Sequence, residues 1–109
     1  MQEYIKKIYD LLYSPIVTPY NLLENAKLDN YKYVKYYKGK TGLVCEMKCS
    51  IEFEGEAIFY YHFDDKDSLS KIYMRQDGKR SIMFDRSSEL KNTKLQYLSM
   101  KTDVKNEAI

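Results

Sequence analysis

The chain has a single histidine, His62, standing two residues before the carboxylates of Asp64 and Asp65. An imidazole oriented by a carboxylate is the least that acid–base catalysis needs, so a small enzyme around His62 and Asp64 is one reading. It lacks a nucleophile. Cys45 and Cys49 have the opposite parity to His62, and there is no GxSxG, HExxH or glycine-rich phosphate loop. The expectation is therefore a chain that is not an enzyme and carries no cofactor. Asp64, Asp65 and Asp67 lack the DxDxDG spacing and closing glutamate of a calcium loop, so a solvated acidic turn without metal is expected. Cys45 and Cys49 would lie about 13 Å apart on an extended strand, well beyond the roughly 7 Å that a disulfide spans. They read as two buried free thiols in a reducing compartment.

Two other sets of residues point to binding. Tyr60 and His62 on one strand, and Lys71, Tyr73 and Arg75 on the next, are the positions that alternate with the apolar ones, which would put an aromatic strip with a charged rim on one sheet face. Aromatic residues and arginine are favoured in interface cores, so this set suggests a protein partner or self-association. The second set is Tyr31, Lys32, Tyr33, Lys35, Tyr37 and Lys38, within the stretch 27–40. Lysines neutralise phosphates and tyrosines stack on unpaired bases, so single-stranded nucleic acid is the alternative. The acidic residues Glu52, Glu54 and Glu56 would oppose it.

The element that must position both sets is an antiparallel meander over Leu43–Asp85. Leu43, Cys45, Met47, Cys49, Ile51 and Phe53 alternate with Val44, Glu46, Lys48, Ser50 and Glu52, the period of a strand with one apolar face. Parity extends that face to Ala57, Phe59, Tyr61, Phe63, Ile72, Met74, Ile82 and Phe84. Three-residue loops are expected at Phe53-Glu54-Gly55, pairing Ile51 with Ala57, and at Gln76-Asp77-Gly78, pairing Ile72 with Ile82. Asp64–Ser68 connects the two hairpins. A first strand lies within Asn30–Lys40.

The apolar face needs a second layer. Residues 2–13 space Ile5, Ile8 and Leu12 as a helical stripe, flanked by Tyr9 and Leu11 and stopped by Ser14-Pro15. Thr18-Pro19 opens a second helix, to about Lys27, burying Leu22, Leu23 and Ala26. The fold expected is α+β: two N-terminal helices packed on one face of an antiparallel meander of about five strands, with a short C-terminal element. Residues 1–101 form one domain; Thr93–Lys101 is an edge strand or short helix, and 102–109 a flexible tail.

The net charge of +2 divides into −1 over residues 1–26, +4 over 27–40, −5 over 43–67 and +4 over 68–109. That polarity suits a charged partner or the chain's own neighbouring strands. No run is long and apolar enough to span a bilayer and no secretory leader is visible, so a cytoplasmic protein without membrane contact is expected. Abundant Lys, Asn, Ile and Tyr with no Trp is what an AT-rich genome encodes. The preferred reading is a small binding protein presenting a sheet face to a protein partner, in the manner of an inhibitor or immunity-type protein of a low-GC bacterium or its phage.

Overall fold

A computed structural model describes residues 2–107. The chain forms α1 (Gln2–Tyr13), α2 (Pro19–Leu22) followed by a 3-10 turn (Leu23–Lys27), then β1 (Tyr31–Lys38), β2 (Leu43–Ile51), β3 (Gly55–Phe63), β4 (Leu69–Gln76), β5 (Lys79–Asp85) and α3 (Arg86–Glu107). The five strands make one antiparallel sheet in the order β1-β2-β3-β4-β5. The α+β class and the five-strand meander agree with the sequence pattern.

The inner face is where β2 parity puts it. Cys45, Met47, Ala57, Phe63 and Leu69 are almost wholly buried, and Leu22 of α2 closes over them. Both cysteines are free and buried, and burial pushes both thiols up from their ordinary pKa. Thr18 caps α2 as expected: its hydroxyl accepts the Asn21 N–H while the Asn21 side chain accepts the Thr18 N–H. The Tyr36 hydroxyl, reaching down from the inner face of β1, donates to the Pro19 carbonyl at 2.7 Å. The helix turns 3-10 from Leu23, however, and leaves Leu23 and Ala26 exposed.

The turns correct two registers. Across β2–β3 the loop is Glu52-Phe53-Glu54 and Ile51 faces Gly55, so Cys49 pairs with Ala57 and Met47 with Phe59. This is two residues off the expected pairing, which preserves the face but moves Phe53 to the tip, 99% exposed. Across β4–β5 the loop has two residues, Asp77 and Gly78, both with positive φ (52° and 74°), the signature of a type I′ turn. Tyr73 then faces Ile82, a bulge follows, and Ile72 faces Phe84. Ile82 therefore leaves the apolar face and is 64% exposed.

The helical layer differs most from expectation. The N-terminal helices do not together cover the sheet: α2 and the 3-10 turn do so over β1 and β2, while α1 packs on α3. The C-terminal element is not short but a helix of 22 residues, about 33 Å long. It takes in the expected tail from Thr102 to Glu107; residues 108–109 lie outside the described residues. Lys7 pairs with Glu89, and Arg86 donates to the Leu11 carbonyl, so α1 and α3 run antiparallel. The stripe of α1 that turns inward is Tyr4, Ile8 and Leu11, one step round from the expected one, and Ile5, Tyr9 and Leu12 are exposed. Because α3 outruns α1, the molecule is long: 59 × 34 × 23 Å with a radius of gyration of 17.5 Å, against roughly 13 Å for a compact domain of this length. No described helix is long and apolar enough to cross a membrane.

Candidate binding face

The outer face of the sheet lies opposite the α2 layer, and the ladder registers arrange its side chains in three cross-strand rows. One row runs Tyr37, Val44, His62, Lys71, Asp85; the next Lys35, Glu46, Tyr60, Tyr73, Ile82; the third Tyr33, Lys48, Ile58, Arg75, Arg80. Tyr37, Tyr60, His62, Tyr73, Arg75, Gly78 and Arg80 line a pocket of about 410 Å³, within the size range of small-ligand and side-chain sites. Four of the five residues singled out on this face, Tyr60, His62, Tyr73 and Arg75, are thus brought together. Lys71 stands beside His62 and is engaged by Asp85 at 3.9 Å.

Glu46 is the polar hub of the β1 side. It accepts the Tyr33 hydroxyl at 2.8 Å and the Tyr37 hydroxyl at 3.2 Å, and pairs with Lys35 at 3.3 Å. Burial alone would raise its pKa; the two hydroxyls and the lysine outweigh that and hold the carboxyl below its ordinary value. Burial and the same carboxylate push the Tyr33 phenol up to about 12. Lys32 and Lys48 both pair with Glu56. The Tyr/Lys stretch is therefore split. Tyr33, Lys35 and Tyr37 lie in the outer rows, while Tyr31 packs against the inner core and Lys32 and Lys35 are ion-paired. Lys38 ends β1 opposite Leu43.

The pocket's own chemistry is cationic and aromatic. The Arg80 guanidinium sits 3.9 Å from the centre of the Tyr73 ring, and His62 meets that ring edge-on at 5.2 Å. Arg75 and Arg80 are directly opposite one another on β4 and β5, a like-charge pair that costs stability where it stands. Among the described residues neither has an ion-pair partner, whereas Glu46, Glu56 and Asp85 are each matched by lysine. Sequence parity missed Arg80 and Gly78 here. The Asp77-Gly78 dipeptide carried the signal, since it favours the two-residue turn that sets Arg80 against Arg75.

His62 and Asp64 are not brought together as an acid–base pair. The Asp64 carboxylate accepts the N–H groups of Lys66 and Ser68, closing its own turn. Among the described residues, nothing hydrogen-bonds the His62 ring. Partial burial, then Arg80 and Lys71, lower the His62 pKa from its ordinary value. The unfolded chain therefore takes up the proton first as pH falls, and this contribution to stability is present above pH 6.5 and lost below it, down through the folded pKa. Denaturant unfolding at pH 7.5 and pH 5 should show wild type losing more stability on acidification than His62→Gln. Equal losses would contradict the assignment.

Set against protein-family models, curated proteins and solved structures, the chain matches none of them.

Proposed function

We infer that the protein is a small binding module whose working surface is the outer face of its sheet. The observation that carries this reading is the pocket itself. Aromatic side chains and two unmatched guanidinium groups converge on a face that the α2 layer leaves open. Exposed aromatic and arginine side chains gathered around a concavity are what interface centres are made of. Tyr60, His62 and Tyr73 are the contact residues, joined by Tyr37 and Arg80, with Arg75 and Lys71 as charged rim. A protein partner fits this face better than a nucleic-acid strand. A single-stranded polyanion wants positive charge along a track, and here the lysines of the face are largely taken by carboxylates. A role as an inhibitor or immunity-type protein is compatible with such a surface, and the site's chemistry does not select it.

The test compares wild type with the double variant Tyr60→Ala/Tyr73→Ala. Both side chains are only half-buried on the open face, so the variant should keep its circular dichroism spectrum. It should lose association with the partner captured by wild type, or self-association in sedimentation velocity. A variant that associates as wild type does would remove this reading.

A further inference from the structure

The tip of the β2–β3 hairpin carries a residue that neither packing nor local geometry explains. Phe53 is 99% exposed and has φ of +67°. The Glu54 N–H donates to the Ile51 carbonyl at 3.0 Å, so Phe53 fills the third position of a type II turn, where glycine or asparagine is the favoured residue. A bulky side chain there is strained and, in a lone molecule, exposes a full aromatic ring to water. Its neighbours Glu52 and Glu54 have no ion-pair partner among the described residues. The tip therefore presents an aromatic ring between two unmatched carboxylates.

The pocket on the outer face presents the converse: aromatic walls and two unmatched guanidinium groups, Arg75 and Arg80. Guanidinium groups take carboxylates through forked, charge-assisted bonds. The arginine end of the pocket also lies at the same end of the sheet as the tip. The Gln76 side chain donates to the Glu54 carbonyl at 2.9 Å, and Gly78 of the neighbouring turn lines the pocket. A two-fold axis near that end would let each of two copies insert its tip into the other's pocket, pairing two tips with two pockets and closing the assembly. From this complementarity we propose that the chain forms an isologous dimer in which Phe53, flanked by Glu52 and Glu54, enters the partner's Arg75/Arg80 pocket. This rests on the outer face being the working surface and names a second copy as its occupant.

The experiment is a charge swap on the full chain, read by sedimentation equilibrium from about 1 µM to about 1 mM. Wild type should be a dimer that weakens with salt. Glu52→Lys/Glu54→Lys and Arg75→Glu/Arg80→Glu should each raise the dimer dissociation constant on the order of a hundredfold or more, since each sets like charges together. Mixed in equal amounts, the two variants should associate with each other, because both tips then meet pockets of opposite sign. Phe53→Gly should also be monomeric, yet should unfold at a higher denaturant midpoint than wild-type monomer, because glycine adopts positive φ without strain. A wild type that stays monomeric to about 1 mM, or a dimer indifferent to both charge variants, overturns the proposal. If the chain is monomeric while capture of another protein still depends on Tyr60 and Tyr73, the dimer falls and the binding face stands.

Discussion

Replacing Arg86 by alanine should remove about 4 kcal/mol from the unfolding free energy. Arg86 is the first residue of α3, and its guanidinium joins three parts of the chain: the start of β4, the end of α1 and the turn that follows it. Nε donates to the Leu69 carbonyl at 2.6 Å, where β4 begins. Nη1 donates to the Leu11 carbonyl at 2.6 Å, one of the last carbonyls of α1, and lies 3.5 Å from the Asp10 carbonyl, which also accepts the Ser14 N–H at 2.9 Å. Nη2 donates to the Pro15 carbonyl at 3.2 Å. A cation at a helix C-terminus also meets the negative end of the helix dipole. Partial burial pulls its pKa down and Asp64 pushes it back up; a guanidinium remains charged throughout.

The third of these contacts restrains a strained turn. Ile16 has φ of +67°, with the Val17 N–H donating back to the Pro15 carbonyl at 2.8 Å, a tight γ-turn that a β-branched residue disfavours. The same carbonyl accepts the Leu69 N–H at 3.0 Å. Without Arg86, the turn keeps its strain and loses part of what fixes it. Each charge-assisted bond is worth about 1.5–3 kcal/mol, and the bonds are not additive because they share one side chain. The expected total is a large part of the roughly 5–16 kcal/mol that a domain of this length has. Arg86→Lys should recover less than half, because one ammonium on a flexible stem cannot fork to three carbonyls. Chemical denaturation checks the magnitude, and hydrogen exchange checks the place: α1 amides should open before those of β2 and β3. A loss below about 1 kcal/mol, or full rescue by lysine, would show that α1 and α3 are held by other means.

How much of this was legible beforehand depended on whether one face of an element does all the packing. β2 was readable because Cys45, Met47 and Cys49 are buried on one side while Glu46 and Lys48 face the other. Across the β4–β5 hairpin, parity and turn chemistry disagree: strict alternation wants Ile72 opposite Ile82, whereas Asp77-Gly78 wants a two-residue turn. The fold honours the turn and inserts a bulge near Met83, returning Phe84 to the core. The sequence leaves Thr93–Lys101 open between edge strand and short helix, and does not show that the helix starts at Arg86, because α3 has no clean apolar stripe. The helix presents Leu90, Thr93 and Tyr97 inward, with Thr93 1% exposed, while Leu95 and Leu98 face solvent. Its start was marked by Asp85, whose carboxylate accepts the Ser88 N–H. For the site, face membership followed from parity, but the pairing of Arg75 with Arg80 did not, because it hangs on that one turn.

Gly42→Ala should cost about 3 kcal/mol, lowering the melting temperature by on the order of 15 °C. A methyl group at this position would lie 2.5 Å from the Asp64 carbonyl oxygen, 2.6 Å from that of Phe63 and 2.7 Å from the Asp64 carbonyl carbon. These are backbone atoms, so no rotamer change can relieve the clash. Nor can that backbone move freely. The Asp64 N–H donates to the Ser68 carbonyl at 2.9 Å, the Asp64 carboxylate holds two further N–H groups, and the Phe63 side chain is fully buried against Leu69 and Met47. Shifting the end of β3 would drag Phe63 from the core or part the β1–β2 loop from the sheet. Gly39→Ala is the control. Its methyl would meet Val44 Cγ2 at 2.8 Å and Gly42 O at 3.1 Å, and the first of these belongs to a side chain that can give. The order expected is therefore Gly42→Ala well below Gly39→Ala, itself below wild type. Equal melting temperatures for the two variants would mean that the β1–β2 loop does not rest on the end of β3, and that Phe63 is held in place by its own strand alone.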